Sequence, residues 1–137
     1  MKAIVCGGRY FGRTSPNGAH LDASDQIKRA SAEQQLLMNK MSELHVEMKF
    51  CEITSGKEGG AERLGTRWAE LNKIPVKIIE RRNRRETIVE RNSRMLAESS
   101  AELLISFGAG ESTAILLNDA KKIGLAILEF DAPAYQP

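Results

Sequence analysis

Short apolar runs that each end in a glycine-rich turn are the feature that most constrains the fold of this chain. Three such turns occur in series, at residues 6–9 (CGGR), 55–61 (SGKEGGA) and 107–113 (FGAGEST). Glycine lets the backbone approach a bound group closely, and turn amides and helix N-termini attract anions. The three turns therefore predict strand ends that meet at one edge of a sheet and form a site for a phosphate-bearing ligand.

Extended and helical patterns alternate along the whole chain. Strands are predicted at residues 2–6, 50–54, 76–79, 101–107 and 125–130, and helices at 24–47, 61–72, 84–99 and 112–123. Such alternation is typical of βαβ units, in which helices cover both faces of a parallel sheet. We expect a single domain, residues 1–137, with an α/β Rossmann-like three-layer sandwich and a mainly parallel sheet of about five strands. A turn at 16–18 and an irregular tail from residue 131 complete this prediction.

Composition excludes several classes of protein. The 137 residues are 42% hydrophobic and 28% charged, which is typical of a folded domain rather than a disordered chain. No apolar stretch approaches the roughly 18 residues of a membrane span, and the N-terminus is too short for a signal peptide, so we expect a cytoplasmic protein. The two cysteines predict buried free thiols. His20 and His45 are isolated from each other, so neither a metal site nor a cofactor is predicted.

The charge is unevenly distributed although the net charge is only +2. Within fourteen residues the chain has six arginines, and glutamates are interleaved with them at helical spacing. This pattern favours a solvated helix face. The alternative is that one or two of these arginines contact an anionic ligand. The arginines are Arg81, Arg82, Arg84, Arg85, Arg91 and Arg94.

The first two turns supply most of the candidate ligand-binding residues. The first combines two glycines with a cation that can pair with a phosphate. The second opens a helix, whose N-terminus can hold a phosphate. Neither a Walker A loop nor the dinucleotide fingerprint Gly-x-Gly-x-x-Gly is present, which argues against an ordinary ATPase. The candidates in these turns are Gly7, Gly8, Arg9, Ser55, Gly56, Gly59 and Gly60.

The third turn adds Gly108 and Gly110, together with the hydroxyl groups of Ser112 and Thr113. Either hydroxyl can act as an N-cap of the following helix, and both can also contact a phosphate. Glu62, in the first turn of the second helix, can complement the helix dipole or hydrogen-bond to a ribose or base.

The order of these motifs resembles a known family. GGR after the first strand, then SGKEGGAERLGTRWA, ERNSRML and ELLISFGAGEST, are similar to the SLOG superfamily, in its YspA- and cpYpsA-related branch of the DUF2493 type. The resemblance covers nearly the whole chain. It implies a Rossmann-like domain that binds nucleotides or nucleotide-derived molecules such as ADP-ribose or NAD-derived signals, including in phage–host conflict. It also implies a homo-oligomer, for which the helix over residues 24–47 is the candidate interface.

The LOG phosphoribohydrolases, which release bases from nucleoside monophosphates, are distant relatives within this superfamily. The resemblance places Arg91 where these enzymes have an active-site arginine, with Asn92 beside it. It places Leu116 where they have a glutamate. Cleavage of an N-glycosidic bond needs a carboxylate, so this substitution counts against LOG-like hydrolysis.

Three functions remain open from the sequence. The first is binding or sensing of a nucleotide-derived small molecule. The second is N-glycosidase activity, for which the catalytic residues would be Arg91, Glu90 and Glu62. The third is nucleic-acid binding, which the low net charge and the aromatic content of 5% disfavour.

Overall fold

The computed structural model describes residues 1–14, 21–108 and 110–133, without the side chain of Ser112. The turn predicted at 16–18, His20 and the last four residues of the tail lie outside these ranges. The described elements alternate as the sequence predicts. They are β1 (Lys2–Gly7), α1 (Ala23–Met48), β2 (Glu52–Ser55), α2 (Ala61–Leu71), β3 (Val76–Ile78), α3 (Ile88–Glu98), β4 (Leu103–Phe107), α4 (Glu111–Lys122) and β5 (Ala126–Phe130).

All five strands form one parallel sheet in the order β3-β2-β1-β4-β5. The central strand β1 pairs with β2 on one side, where Ala3 lies opposite Ile53, and with β4 on the other, where Ala3 lies opposite Leu103. The chain builds outward from β1 to β3, and α3 then connects it to the opposite side of β1. The strand order therefore reverses between β1 and β4, and the Rossmann-like α/β prediction is confirmed.

Helices cover both faces of the sheet because alternate residues of a strand point to opposite faces. On the face covered by α1 and α2, Val5 belongs to a core that includes Met41 and Trp68. On the face covered by α3 and α4, Ile4 packs in a second core that includes Met95. Among the described residues, no helix is both long and apolar enough to cross a membrane.

The first four arginines of the cluster lie in a loop, and the prediction that they form a helix face is wrong. The helix α3 begins at Ile88, after the N-cap Thr87, rather than at residue 84. Before it, the Asn83 side-chain oxygen accepts hydrogen bonds from the backbone N–H groups of Arg85 (2.8 Å) and Glu86 (3.1 Å). Asparagine stabilises turns in this way, and the turn ends the helical path.

The loop over residues 80–87 is held against α3 by Arg94. Its guanidinium donates to both carboxylate oxygens of Glu86, at 2.7 and 2.6 Å, and to the backbone oxygen of Glu80 at 2.6 Å. These hydrogen bonds from Arg94 lower the pKa of Glu86 from 4.5 to about 2. The loop therefore has a fixed attachment to the folded helix.

The Glu86–Arg94 pair predicts a specific loss of stability in acid. Because the native pKa of Glu86 lies below its ordinary value, the carboxylate stabilises the fold above about pH 4.5, and that contribution is lost as the pH falls towards about 2. We expect Glu86→Gln to be less stable than the wild type at neutral pH and to lose less free energy of unfolding across this window. Urea unfolding at several pH values measures both effects. Parallel pH profiles for the two proteins would contradict the assignment.

Candidate functional site

A cavity of about 280 Å³ opens at the carboxyl edge of the sheet, where the strand order reverses. We call it the switch-point cavity. Its walls come from β1, from the loops after β1, β2 and β3, and from the first turns of α2, α3 and α4. Of the predicted site residues, those that line it are Gly7, Arg9, Gly59, Glu62, Arg91, Asn92 and Thr113. Arg81, which also lines it, is one of the six arginines for which the sequence left open contact with an anionic ligand. The lining residues that were not predicted to bind ligand are Cys6, Glu58, Ile88 and Leu116.

A buried ion pair joins two walls of the cavity. The Arg91 guanidinium donates to Glu62 through Nη2 to Oε1 at 3.1 Å and through Nη1 to Oε2 at 3.4 Å. Only 4% of the Arg91 side chain and 7% of the Glu62 side chain are exposed. Arg91 Nε also donates to the side-chain oxygen of Asn92 at 3.1 Å, and the backbone N–H of Glu58 donates to Glu62 Oε2 at 3.1 Å. Each charge is thus compensated, and the pair fixes α3 to α2.

Gly56 makes room for this ion pair. A Cβ at this position would overlap Arg91 Nη1 and would lie 2.6 Å from Glu62 Oε2. The neighbouring Ser55 is buried, and its hydroxyl lies 2.7 Å from Thr66 Oγ1. Neither residue lines the switch-point cavity. The structure therefore gives both residues a packing role beside the ion pair.

The first and second glycine turns pack against each other. The Gly8 carbonyl oxygen accepts hydrogen bonds from the backbone N–H groups of Phe11 (3.1 Å) and Ala61 (3.2 Å), so the first amide of α2 already has a main-chain partner. A Cβ at Gly60 would overlap the carbonyl oxygens of Gly8 and Arg9. Gly8 and Gly60 lie outside the cavity lining. The close contact accounts for Gly60 without a ligand, and Gly8 is accounted for by the Gly108 carbonyl oxygen, which a Cβ at Gly8 would overlap.

The third turn differs from the expected N-cap. The N-cap of α4 is Gly110, and no hydrogen bond from a side chain of the described residues caps this helix. The prediction that Ser112 or Thr113 is the N-cap is wrong, because the helix begins earlier, at Glu111. The Thr113 hydroxyl donates instead to the Gly7 carbonyl oxygen at 2.8 Å and joins α4 to β1. Gly110 is exposed, with nothing within 4 Å of where its Cβ would lie.

Two further predicted residues lie away from the cavity. The backbone N–H of Gly108 donates to Phe130 at 2.9 Å, which ties the third turn to the end of β5. Glu90 is exposed in the first turn of α3, where its backbone N–H donates to the hydroxyl of the N-cap Thr87 at 3.1 Å. Neither residue is among those that line the cavity.

Two arginines at the cavity differ from Arg91 in their exposure. Arg81 Nε lies 3.5 Å from Glu58 Oε1, and 46% of the Arg81 side chain and 36% of the Glu58 side chain are exposed. We call this pair the Arg81–Glu58 bridge. Arg9 is exposed, and its guanidinium lies 5.8 Å from the centre of the Tyr10 ring. These two cations are accessible to a ligand, whereas the charge of Arg91 is enclosed.

Cys6 lines the cavity but is not a nucleophile at neutral pH. Burial, reinforced by the Glu62 carboxylate, raises the pKa of its thiol from 9.0 to about 12. Because the thiolate is the reactive form, the thiol is inert. Both cysteines are free, as expected, but Cys51 is exposed and the prediction that it is buried is wrong.

Across residues 1–14, 21–108 and 110–133, no three His, Cys, Asp or Glu side chains are grouped closely enough to hold a metal ion.

The two cysteines predict a selective labelling pattern. A thiol reagent such as dithionitrobenzoate should modify one thiol per native chain at neutral pH and two after denaturation, because Cys51 is exposed, whereas the Cys6 thiol is buried and its pKa is raised to about 12. The Cys51→Ser variant should lose the native labelling. Rapid labelling of that variant in the native state would contradict the burial of Cys6.

Comparisons with protein-family models, with curated proteins and with solved structures find no match to this chain.

Proposed function

We propose that the switch-point cavity binds a nucleotide-derived small molecule. The observation that supports this most strongly is the cavity's position, because ligands of open parallel sheets bind where the strand order reverses. Its volume of about 280 Å³ lies just below the range for small-molecule sites, which is roughly 300–1,000 Å³. A ligand the size of one nucleoside with its phosphate is therefore favoured for this space.

The polar groups of the cavity match the two parts of such a ligand. Arg9 and Arg81 offer accessible positive charge for a phosphate, and the N-terminus of α4 at Gly110 adds the positive end of a helix dipole. Ile88 and Leu116 provide apolar surface on the α3 and α4 side, which suits a base or a ribose face. Gly7 lines the cavity with its backbone, and a Cβ at this position would overlap the Phe107 carbonyl oxygen.

Mass spectrometry of the purified protein, native and then denatured, tests the proposal directly. A nucleotide derivative released on denaturation would support it and would identify the ligand class. If the protein is isolated empty, calorimetric titration with mononucleotides, NAD, ADP-ribose and cyclic nucleotides is the next measurement. Failure of all of these to bind would overturn the proposal.

Arg9 provides a prediction for that titration. Arg9→Ala should weaken binding of an identified phosphate-bearing ligand about tenfold, because the loss of one charge-assisted contact is roughly of that size. Arg67→Ala is the matched control, since Arg67 is an exposed arginine on α2 outside the cavity lining. Equal affinities for the two variants would remove Arg9 from the site.

A second candidate function is hydrolysis of an N-glycosidic bond. It is favoured by one observation, the Glu62 carboxylate that lines the cavity beside Arg91. The position at which the LOG enzymes have their glutamate is occupied by Leu116, whose side chain gives this wall no carboxylate. Release of free base from AMP by the wild-type protein would establish the activity. If AMP binds and no free base is released, the result would support the binding function and contradict the hydrolase function.

The expected self-association and nucleic-acid binding stay predictions. Helix α1 presents Ile27 and Val46 with 60% and 78% of their surfaces exposed, and we keep it as the proposed dimer interface. Light scattering on the wild type and on an Ile27→Glu, Val46→Glu variant tests this interface. A change in mass with the double substitution would support it.

A further inference from the structure

A second opening lies directly beyond the switch-point cavity. This outer cleft has a volume of about 330 Å³, and it is lined by Lys57, Glu58, Glu80, Arg81, Asn83 and Arg84. Arg81 and Glu58 line both spaces. The Arg81–Glu58 bridge therefore forms a partition that the two openings share.

The partition is weakly held. Its two atoms lie 3.5 Å apart, and more than a third of each side chain is exposed, in contrast to the buried pair of Glu62 and Arg91. Exposed ion pairs contribute little to stability, so an anionic group can compete with Glu58 for Arg81. A phosphate that contacts Arg81 would thus displace the carboxylate and open the path to the outer cleft.

The outer cleft offers further positive charge from two loops, those that follow β2 and β3. Lys57 and Arg84 are both exposed, and the described part of the chain records no ion pair for either. With Arg81 they give three cations against the two carboxylates of Glu58 and Glu80. The hydrogen bonds of Asn83 and the attachment of Glu86 to Arg94 hold the loop over residues 80–87, so the backbone that carries Arg81 and Arg84 needs little ordering to bind an anion.

We propose that the outer cleft is a second anionic subsite and that the ligand is a nucleotide with a second phosphate group. The nucleoside and its first phosphate occupy the switch-point cavity, and the second phosphate binds between Lys57 and Arg84. This inference rests on the proposed function, since it extends the ligand of that same cavity. The second subsite would favour ligands that are longer than a mononucleotide.

Titration with two probes that share one half tests the subsite. AMP has a single phosphate, and ADP-ribose is AMP extended by a phosphoribosyl group. We expect the wild type to bind ADP-ribose about tenfold more tightly than AMP, since the extension adds charge-assisted contacts. Arg84→Ala should remove most of this difference and leave AMP binding unchanged. Lys57→Ala should act in the same direction.

Arg85→Ala is the matched control, because Arg85 is the adjacent exposed arginine of the same loop and does not line the outer cleft. It should leave both affinities unchanged. Equal affinity of the wild type for the two probes would overturn the second subsite and leave the proposed function standing, as would equal effects of Arg84→Ala and Arg85→Ala. An Arg84→Ala variant whose affinity for AMP falls as much as its affinity for ADP-ribose would also overturn the second subsite. Binding of neither probe would overturn the subsite and count against the proposed function too.

Discussion

Replacing Glu62 by glutamine should lower the free energy of unfolding by about 3 kcal/mol, because it leaves the charge of Arg91 buried and uncompensated. Both partners are almost fully enclosed, and the Arg91 guanidinium makes two hydrogen bonds to the carboxylate. Urea unfolding followed by circular dichroism at neutral pH measures the loss.

Two controls separate this effect from a general loss of packing. The double variant Glu62→Gln, Arg91→Met removes both charges and should recover most of the lost stability, since no buried ion remains. Glu43→Gln breaks the exposed pair with Lys40, which has an N–O distance of 3.2 Å, and should change stability by less than about 0.5 kcal/mol. A Glu62→Gln variant as stable as the Glu43→Gln variant would contradict the account of the ion pair.

Gly60→Ala should strongly destabilise the fold, with a loss of about 3 kcal/mol in the free energy of unfolding. The residue has φ +56°, where a side chain is strained, and its Cβ would also overlap backbone oxygens of the first turn and lie 2.6 Å from the Arg9 carbonyl carbon. The atoms that a Cβ at Gly60 would overlap belong to the backbone, which cannot move away as the end of a flexible side chain can. Thermal unfolding should show a clear fall in Tm, and the Gly8–Ala61 contact should be disturbed with it.

Gly110→Ala is the matched control for that substitution. Gly110 is also the N-cap of a helix at the same edge of the sheet, but its φ is −110° and the space around it is open. We expect a loss of at most about 1 kcal/mol, because the added methyl group would meet nothing within 4 Å and an alanine N-cap typically costs about that much relative to a good N-cap residue. Equal losses of stability in the two variants would show that Gly60 is not required for the close packing of the first two turns.

The architecture was predictable because it depends on patterns that are local in the sequence. Apolar runs that end in glycine, separated by helical stretches, indicate parallel strands with crossover helices, and all five strands and four helices were anticipated. The boundary of α3 was not, because the side chain of Asn83 accepts two backbone hydrogen bonds and the true N-cap is Thr87. Leu71, which fits the helical stripe of α2 with Leu64 and Trp68, is 67% exposed, since the end of that helix extends past the core.

The site was predictable in its location but only partly in its residues. Strand ends could be placed at one edge from topology alone. A glycine in the sequence, however, does not show whether it makes room for a ligand or for other protein atoms. Gly56 and Gly60 make room for protein atoms and do not line the cavity. Arg81 and Glu58 were missed as a pair because they come from different loops, so their proximity depends on the β2–β3 register, where Ser55 lies opposite Ile78. The enclosure of Arg91 by Glu62 likewise depends on tertiary packing.

The pairing of β1 with β4 has a consequence for the order in which the molecule assembles. Ala3 pairs with Leu103, so the centre of the sheet is completed by a contact between distant parts of the chain, and closing so long a loop has a large entropic cost. The first three strands and two helices can associate beforehand through shorter connections. We therefore expect the pairing of β1 with β4, beside which the switch-point cavity lies, to form late in folding. A ligand bound in the cavity would stabilise this last-formed pairing.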